Sequence, residues 1–160
     1  MRFKKLLLIV LILAVVVLGV NAFLTKVDVV KDDSLNWLKE KRIAHRGIYN
    51  NEDIVENSLS AIKLTIEKGE NVEIDVQKTK DDVVVVFHDV NLKRLTGVDK
   101  NLEDLTYEEV RQITLLKTDD YIPTLKEVLE LVDGQVGLLI EIKNEGAVGR
   151  LEELIAEDLK

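Results

Sequence analysis

From Lys41 to the C-terminus, short aliphatic runs alternate with segments of helical period, and one junction between two runs is too short to hold a helix. Arg42-Ile43-Ala44 leads into His45-Arg46-Gly47. Glu56-Asn57-Ser58 opens a helix with Leu59, Ile62 and Ile66 on one face and Gly69 just past its end. Residues 72–76 and 83–87 are rich in β-branched side chains and read as strands. Thr106-Tyr107-Glu108-Glu109 and Thr124-Leu125-Lys126-Glu127 are capping boxes, each starting a helix. Residues 136–142 form a near-continuous apolar strand, and residues 145–159 a last helix. Alternation of this kind implies an α/β fold with a mainly parallel sheet covered by helices. The short junction, residues 77–82, is the exception, since a helical crossover needs about a dozen residues or more. Either a local hairpin forms there or one helix of the repeat is missing.

The 160 residues contain no cysteine, which excludes disulfides, thiolate metal sites and thiol nucleophiles. The first 24 residues carry Arg2, Lys4 and Lys5 and no acid, whereas the remaining 136 carry 19 basic and 30 acidic residues. So acidic a domain lacks the basic face that a phosphate backbone requires, and nucleic acid is not an expected partner. Leu6 to Val20 are fifteen consecutive apolar or glycine residues, and the run continues past Asn21 to Leu24. Nineteen residues at ~1.5 Å each just cross a ~30 Å hydrocarbon core. Residues 1–24 are therefore expected to be one transmembrane helix, a signal anchor. The leading cations place the chain beyond it outside the cell membrane, as a single-pass extracytoplasmic domain. Val20-Asn21-Ala22 also resembles a small-residue cleavage site, and cleavage there would release a secreted domain. Residues 25–40 read as a juxtamembrane spacer, with Asp32, Asp33 and Ser34 capping a short helix through Leu35, Trp37 and Leu38.

Polar residues placed inside these strands carry the functional reading. Glu73 and Asp75 are two apart on a strand and share one face, while Val72, Ile74 and Val76 share the other. Paired carboxylates that close need a positive partner when desolvated. They make either a hard-cation site, for which Ca²⁺ or Mg²⁺ is suited, or a solvated acidic edge. The two histidines, His45 and His88, each end an expected strand, where parallel α/β proteins place their active sites. Both serve either proton transfer or structure. Arg46 offers a fork of donors to a phosphate or makes a surface salt bridge. Glu141 and Lys143 repeat the two-residue spacing: a third metal ligand with a phosphate-binding cation, or a simple ion pair.

Taken together and in order, His45-Arg46-Gly47, Glu56-Asn57-Ser58, Glu73-Ile74-Asp75-Val76, Val86-Phe87-His88-Asp89, Ile122-Pro123-Thr124-Leu125 and Glu141-Ile142-Lys143 resemble the glycerophosphodiester phosphodiesterase family. The resemblance implies a TIM-type (β/α) barrel with one divalent cation, Ca²⁺ or Mg²⁺, at its C-terminal mouth. It implies hydrolysis of glycerophosphodiesters to an alcohol and glycerol 3-phosphate. On this resemblance His45 and His88 are the general acid and base, Glu73, Asp75 and Glu141 the metal ligands, and Arg46 and Lys143 the phosphate binders. Related enzymes of the phospholipase-D type take intact phospholipid, a second substrate reading. Two positions depart from the family pattern: Val55 stands where proline is usual, and Asp82 where a turn glycine is usual.

Length is the larger departure. A complete barrel takes about 250 residues, whereas residues 41–160 hold about four strands. The expectation is the first half of a barrel, incomplete at its C-terminus. Two copies closing one barrel by self-association, or a non-catalytic membrane-anchored fragment, are the alternatives this length raises.

Overall fold

The computed structural model describes Leu13, Val16, Val17, residues 35–143 and residues 149–159. The chain divides into two compact units, Met1–Asp33 and Ser34–Lys160. In the first, the three described residues are helical and exposed. The transmembrane helix expected over residues 1–24 is corrected here, and with it the single-pass, extracytoplasmic placement at the cell membrane. Among the described residues no helix is long and apolar enough to cross a membrane. The longest have nine residues, about 14 Å of rise against the ~30 Å of a hydrocarbon core. The rest of the apolar run, and Asp32, Asp33 and Ser34, lie outside the described residues.

The second unit contains first a single helical turn, α1 (Trp37–Glu40), whose N-cap is Asn36. Strand β1 (Ile43–His45) follows, then helix α2 (Leu59–Glu67), capped by the Ser58 hydroxyl accepting from the Ala61 N–H at 3.2 Å. Strand β2 (Asn71–Lys78) is the centre of the sheet. It pairs in parallel with β1 and with β4 (Leu138–Ile142). Its C-terminal end pairs antiparallel with β3 (Val84–Val86). The short junction is thus a hairpin, and the mainly parallel sheet contains one reversed strand. Asp82 takes the turn with φ of 62°, the left-handed conformation that glycine fills at no steric cost.

Beyond β3 come the single turn α3 (Lys93–Thr96), a 3₁₀ turn, α4 (Tyr107–Arg111) and α5 (Leu125–Val132). Both expected capping boxes form, with Thr106 and Thr124 accepting from the N–H of Glu109 and Glu127. After β4, helix α6 (Arg150–Asp158) is the described part of the last expected helix, and residues 144–148 lie outside the description.

Two apolar clusters hold these elements. Val72, Ile74 and Val76 of β2 turn toward Ile62 of α2, Val128 of α5 and Ile155 of α6. Phe87, Leu92, Leu95, Leu102, Val110 and Ile122 gather under the segment between β3 and α5. Val84 and Val86 face the first cluster and Val85 the second, so β3 is buried on both faces. That explains the unbroken run of valines at 83–86, with no polar alternation. Gly137 enters β4 against Trp37, where an added Cβ would sit 2.1 Å from the indole ring. The face of β2 that carries Glu73 and Asp75 is left to the site.

Candidate active site

The register of β2 against its neighbours assembles the site. His45 lies opposite Glu73 on β1, and Glu141 opposite Asp75 on β4. Carboxylates from β2 and β4 therefore converge, with a histidine from β1 beside them. Glu73, Asp75 and Glu141 each offer an oxygen, all within 4.8 Å of one another. His45 Nε2 is 4.0 Å from Glu73 Oε2, on a side chain 63% exposed.

Asp75 is fully buried and is held from three sides. Asn57 Nδ2 donates to its Oδ2 at 2.9 Å, Arg46 Nε is 3.1 Å from the same oxygen, and Lys143 Nζ is 3.1 Å from Oδ1. The Arg46 and Lys143 contacts are at ion-pair distance without hydrogen-bond alignment, so Arg46 Nε and Asp75 Oδ1 count among the buried atoms lacking a hydrogen bond. Glu73 Oε1 is a third, while its Oε2 accepts the Arg46 N–H at 3.1 Å. Burial pushes the Glu73 carboxyl above its usual range; the Arg46 N–H opposes this and the charge of Asp75 adds to it. Lys143 also pairs closely with Glu141, and this contact, together with Asp75, holds its ammonium above the ordinary range. Three carboxylates thus face two cations, with oxygens of two of them buried and without a hydrogen bond. A divalent cation fits that donor set: oxygen ligands from hard carboxylates, and charge still to be neutralised. The edge-strand alternative for Glu73 and Asp75 fails because β2 is central and Asp75 buried.

Local backbone geometry supports this cluster. Arg46 and Asn57 both have left-handed φ, 59° and 60°, and the Asn57 N–H donates to the Arg46 carbonyl at 2.9 Å. Such conformations cost of order 1–3 kcal/mol each and persist where the surroundings over-determine them. Gly47 has φ of 80°, and an added Cβ would lie 2.9 Å from the Ala61 backbone. The third position of His45-Arg46-Gly47 is therefore closed to any side chain.

His88 follows the antiparallel strand β3 rather than ending a parallel strand as expected. The Phe87 N–H donates to the Asp75 carbonyl at 2.9 Å, setting the chain just before His88 alongside β2. Gln77 Nε2 donates to the carbonyls of Phe87 and Asp89, each at 2.9 Å, and so brackets His88 on both sides. His88 Nδ1 is 2.8 Å from Asp89 Oδ1. Burial raises the Asp89 carboxyl, but hydrogen bonds from Arg94 and His88 outweigh it and keep Asp89 below its usual range.

A second carboxylate hub stands behind Arg46. The Glu56 side chain, 3% exposed, accepts from Arg46 at 2.8 Å, Asn51 at 2.8 Å and Arg94 at 2.7 and 3.0 Å. Burial would raise its pKa; the donors from Arg94, Asn51 and Arg46 instead bring it down to about 2.

Contacts join six of the seven expected residues, His45, Arg46, Glu73, Asp75, Glu141 and Lys143, and His88 connects to Arg46 through Asp89, Arg94 and Glu56. Sequence reasoning took Glu56 and Asn57 as a helix start and Asp89 as a charged neighbour, all three within motifs of the family resemblance but without a role at the site, took Gln77 as connection, and passed over Arg94. Their motif neighbours were a usable signal for Glu56, Asn57 and Asp89. Nothing local points to Arg94, whose partner Glu56 is 38 residues away.

A carboxylate triad suited to a divalent cation, with Arg46 and Lys143 against it, His45 on β1 and His88 beyond β3, is the kind of donor set that metal-assisted phosphoryl-ester chemistry uses. Residues 45–160 match the glycerophosphoryl diester phosphodiesterase family, and the chain belongs to that family. A glycerophosphodiester phosphodiesterase of Caldanaerobacter subterraneus subsp. tengcongensis is 37% identical over 115 residues, 67% of this chain and 46% of that protein. A human lysophospholipase D is 34% identical over 129 residues, 72% of this chain and 40% of that protein. Among solved structures, an Oleispira antarctica phosphodiesterase in complex with its product sn-glycerol-3-phosphate superposes with a TM-score of 0.68 at 31% identity, over 74% of this chain and 51% of that one. A Thermotoga maritima glycerophosphodiester phosphodiesterase gives 0.63 at 39% identity, over 74% and 48%. The chain thus spans about half the length of the relatives it matches, and its fold is the corresponding part of their barrel.

Proposed function

We propose that this chain hydrolyses glycerophosphodiesters to an alcohol and glycerol 3-phosphate, using Glu73, Asp75 and Glu141 to hold one divalent cation. The observation that carries the reading is the triad itself, within 4.8 Å and paired with Arg46 and Lys143, each 3.1 Å from Asp75. When bound, the cation supplies positive charge to the phosphoryl oxygens as the P–O bond to the alcohol breaks. Arg46 and Lys143 bind and orient the phosphate, and their charges favour the developing phosphoryl charge over bulk water. His45 and His88 divide the proton work: one accepts the proton of the attacking oxygen, and the other donates to the leaving alcohol oxygen. Asp89 holds the Nδ1 side of His88, leaving Nε2 for the substrate.

A second substrate reading, lysophospholipid, is favoured by the likeness to lysophospholipase D and by exposed Val90 immediately after His88-Asp89. Release of glycerol 3-phosphate from glycerophosphocholine by the full chain tests the first reading, with Ca²⁺, with Mg²⁺ and with chelator. Choline release from lysophosphatidylcholine tests the second. Metal-dependent turnover that falls about 100-fold or more in His45→Ala and in His88→Ala is expected. A folded, metal-supplied chain that turns over neither substrate would refute the proposal.

A further inference from the structure

Arg94 lies outside every motif that carries the proposed chemistry, on the four-residue turn α3, yet its guanidinium joins two carboxylates of the site. Nε donates to Asp89 Oδ2 at 2.6 Å and NH2 to Asp89 Oδ1 at 3.1 Å. On the other side, NH2 and NH1 donate to Glu56 Oε1 and Oε2 at 2.7 and 3.0 Å. Four donor contacts in one plane thus fix Asp89 relative to Glu56, which is itself buried and tied to Arg46 and Asn51. Asp89 in turn meets His88 Nδ1 at 2.8 Å. An ionised carboxylate only accepts hydrogen bonds. While Arg94 keeps Asp89 ionised and in place, Nδ1 of His88 must carry the proton and Nε2 is the free nitrogen.

We infer that Arg94 is a positioning residue: anchored on Glu56, it holds Asp89 so that His88 keeps its proton on Nδ1 and presents Nε2 to the reacting atoms. The inference rests on the proposed hydrolysis for its catalytic meaning, but not for its measurement. A lysine cannot replace this arginine, because one ammonium does not reproduce two forks facing different carboxylates. Side-chain exposure of 46% at Arg94 argues against a purely structural ion pair of large energy, since such pairs near the surface contribute little. The site uses its charge, which keeps Asp89 ionised, together with its planar fork, which keeps Asp89 in place.

The test is nitrogen-15 NMR of the imidazole rings in the full chain, above the ordinary imidazole range of ~6.5. The chain has two histidines, so a His45→Gln background assigns His88. The parent is expected to show the Nδ1–H tautomer. Asp89→Asn, whose amide can donate to Nδ1, is expected to move the proton to Nε2 and calibrates the opposite state. Arg94→Gln and Arg94→Lys are expected to give a mixture of tautomers, and kcat on the substrate hydrolysed is expected to fall about 100-fold with a smaller change in KM. If either variant fails to fold, the other and the Asp89→Asn spectrum still decide. An unchanged Nδ1–H tautomer in the folded Arg94 variants overturns the inference, whatever their rates. A changed tautomer in a chain without turnover upholds the coupling and defeats only the proposed hydrolysis.

Discussion

At Gln77 a single amide donates to two backbone carbonyls, those of Phe87 and Asp89, each at 2.9 Å. Replacing it with leucine keeps most of the volume and removes both donors, leaving two carbonyls unsatisfied in a half-buried place. Each such loss costs about 1–3 kcal/mol, so Gln77→Leu is expected to lower the urea midpoint of unfolding by a corresponding amount. It should cost more in kcat than in stability, because the segment it brackets is His88. Equal activity per folded molecule would show that the bracket is structural only. Glu73, Asp75, Glu141 and Lys143 were singled out in the sequence because a strand alternates its faces, so two-residue spacing already groups side chains, and His45 because it ends an expected strand. Gln77, with the same spacing from Asp75, was read as connection because the expected strand was stopped at Val76, two residues short of its end at Lys78. Arg94 was not legible at all: its partners are set by the return of the chain after the hairpin, which no local pattern encodes.

Among the elements, the helices with capping boxes were the most readable, and the hairpin the least. The capping box at Thr124 does more than start α5. Glu127 accepts from the Thr124 N–H at 2.8 Å and from its hydroxyl at 3.0 Å. It also accepts from Arg111 at 2.6 Å and from the hydroxyls of Tyr121 and Tyr107 at 3.1 and 3.2 Å. Arg111 in turn lies 3.6 Å from the centre of the Tyr121 ring. One carboxylate thus ties α5 to α4 and to the loop between them. Burial would raise its pKa, but the Thr124 N–H, Arg111 and the hydroxyls bring it from 4.5 down to about 2. A depressed carboxylate stabilises the fold above its unfolded value and loses that contribution as pH falls through the folded one. Glu127→Gln is therefore expected to be less stable than the parent by about 1–3 kcal/mol above pH 4.5. The gap should close progressively toward about pH 2. Urea midpoints measured across that range check it, and a gap independent of pH would assign the loss to packing instead. By contrast, the direction of β3 stayed open between a hairpin and a missing helix, because side-chain alternation marks which face of a strand meets the core and not which way the strand runs.

At the scale of the whole chain, the central electrostatic fact is a cluster of three carboxylates against two cations, in a protein with a formal charge of −8. Glu73 Oε1 and Asp75 Oδ1 are buried without a hydrogen bond, so the folded state retains a repulsion and a desolvation cost that the unfolded chain does not. A divalent cation that binds only the folded state removes both. At a hundredfold excess over its Kd, it adds about 2.7 kcal/mol. A domain of this length gains about 4 °C in Tm for each kcal/mol, so a rise of about 10 °C is expected on moving from chelator to saturating metal. Sodium chloride at matched ionic strength separates site binding from general screening, which acts on exposed charges and reaches the buried Asp75 far less. Glu141→Gln removes one ligand and should abolish most of the rise while leaving the chelated Tm unchanged or higher, since one repelling charge is gone. The choice of ion is readable in the same experiment: a site able to adjust its oxygens favours Ca²⁺, and one of fixed octahedral demand favours Mg²⁺. If neither ion raises the Tm above the sodium chloride control, Arg46 and Lys143 already suffice to hold the carboxylates, and the triad is a structural ion cluster rather than a metal site.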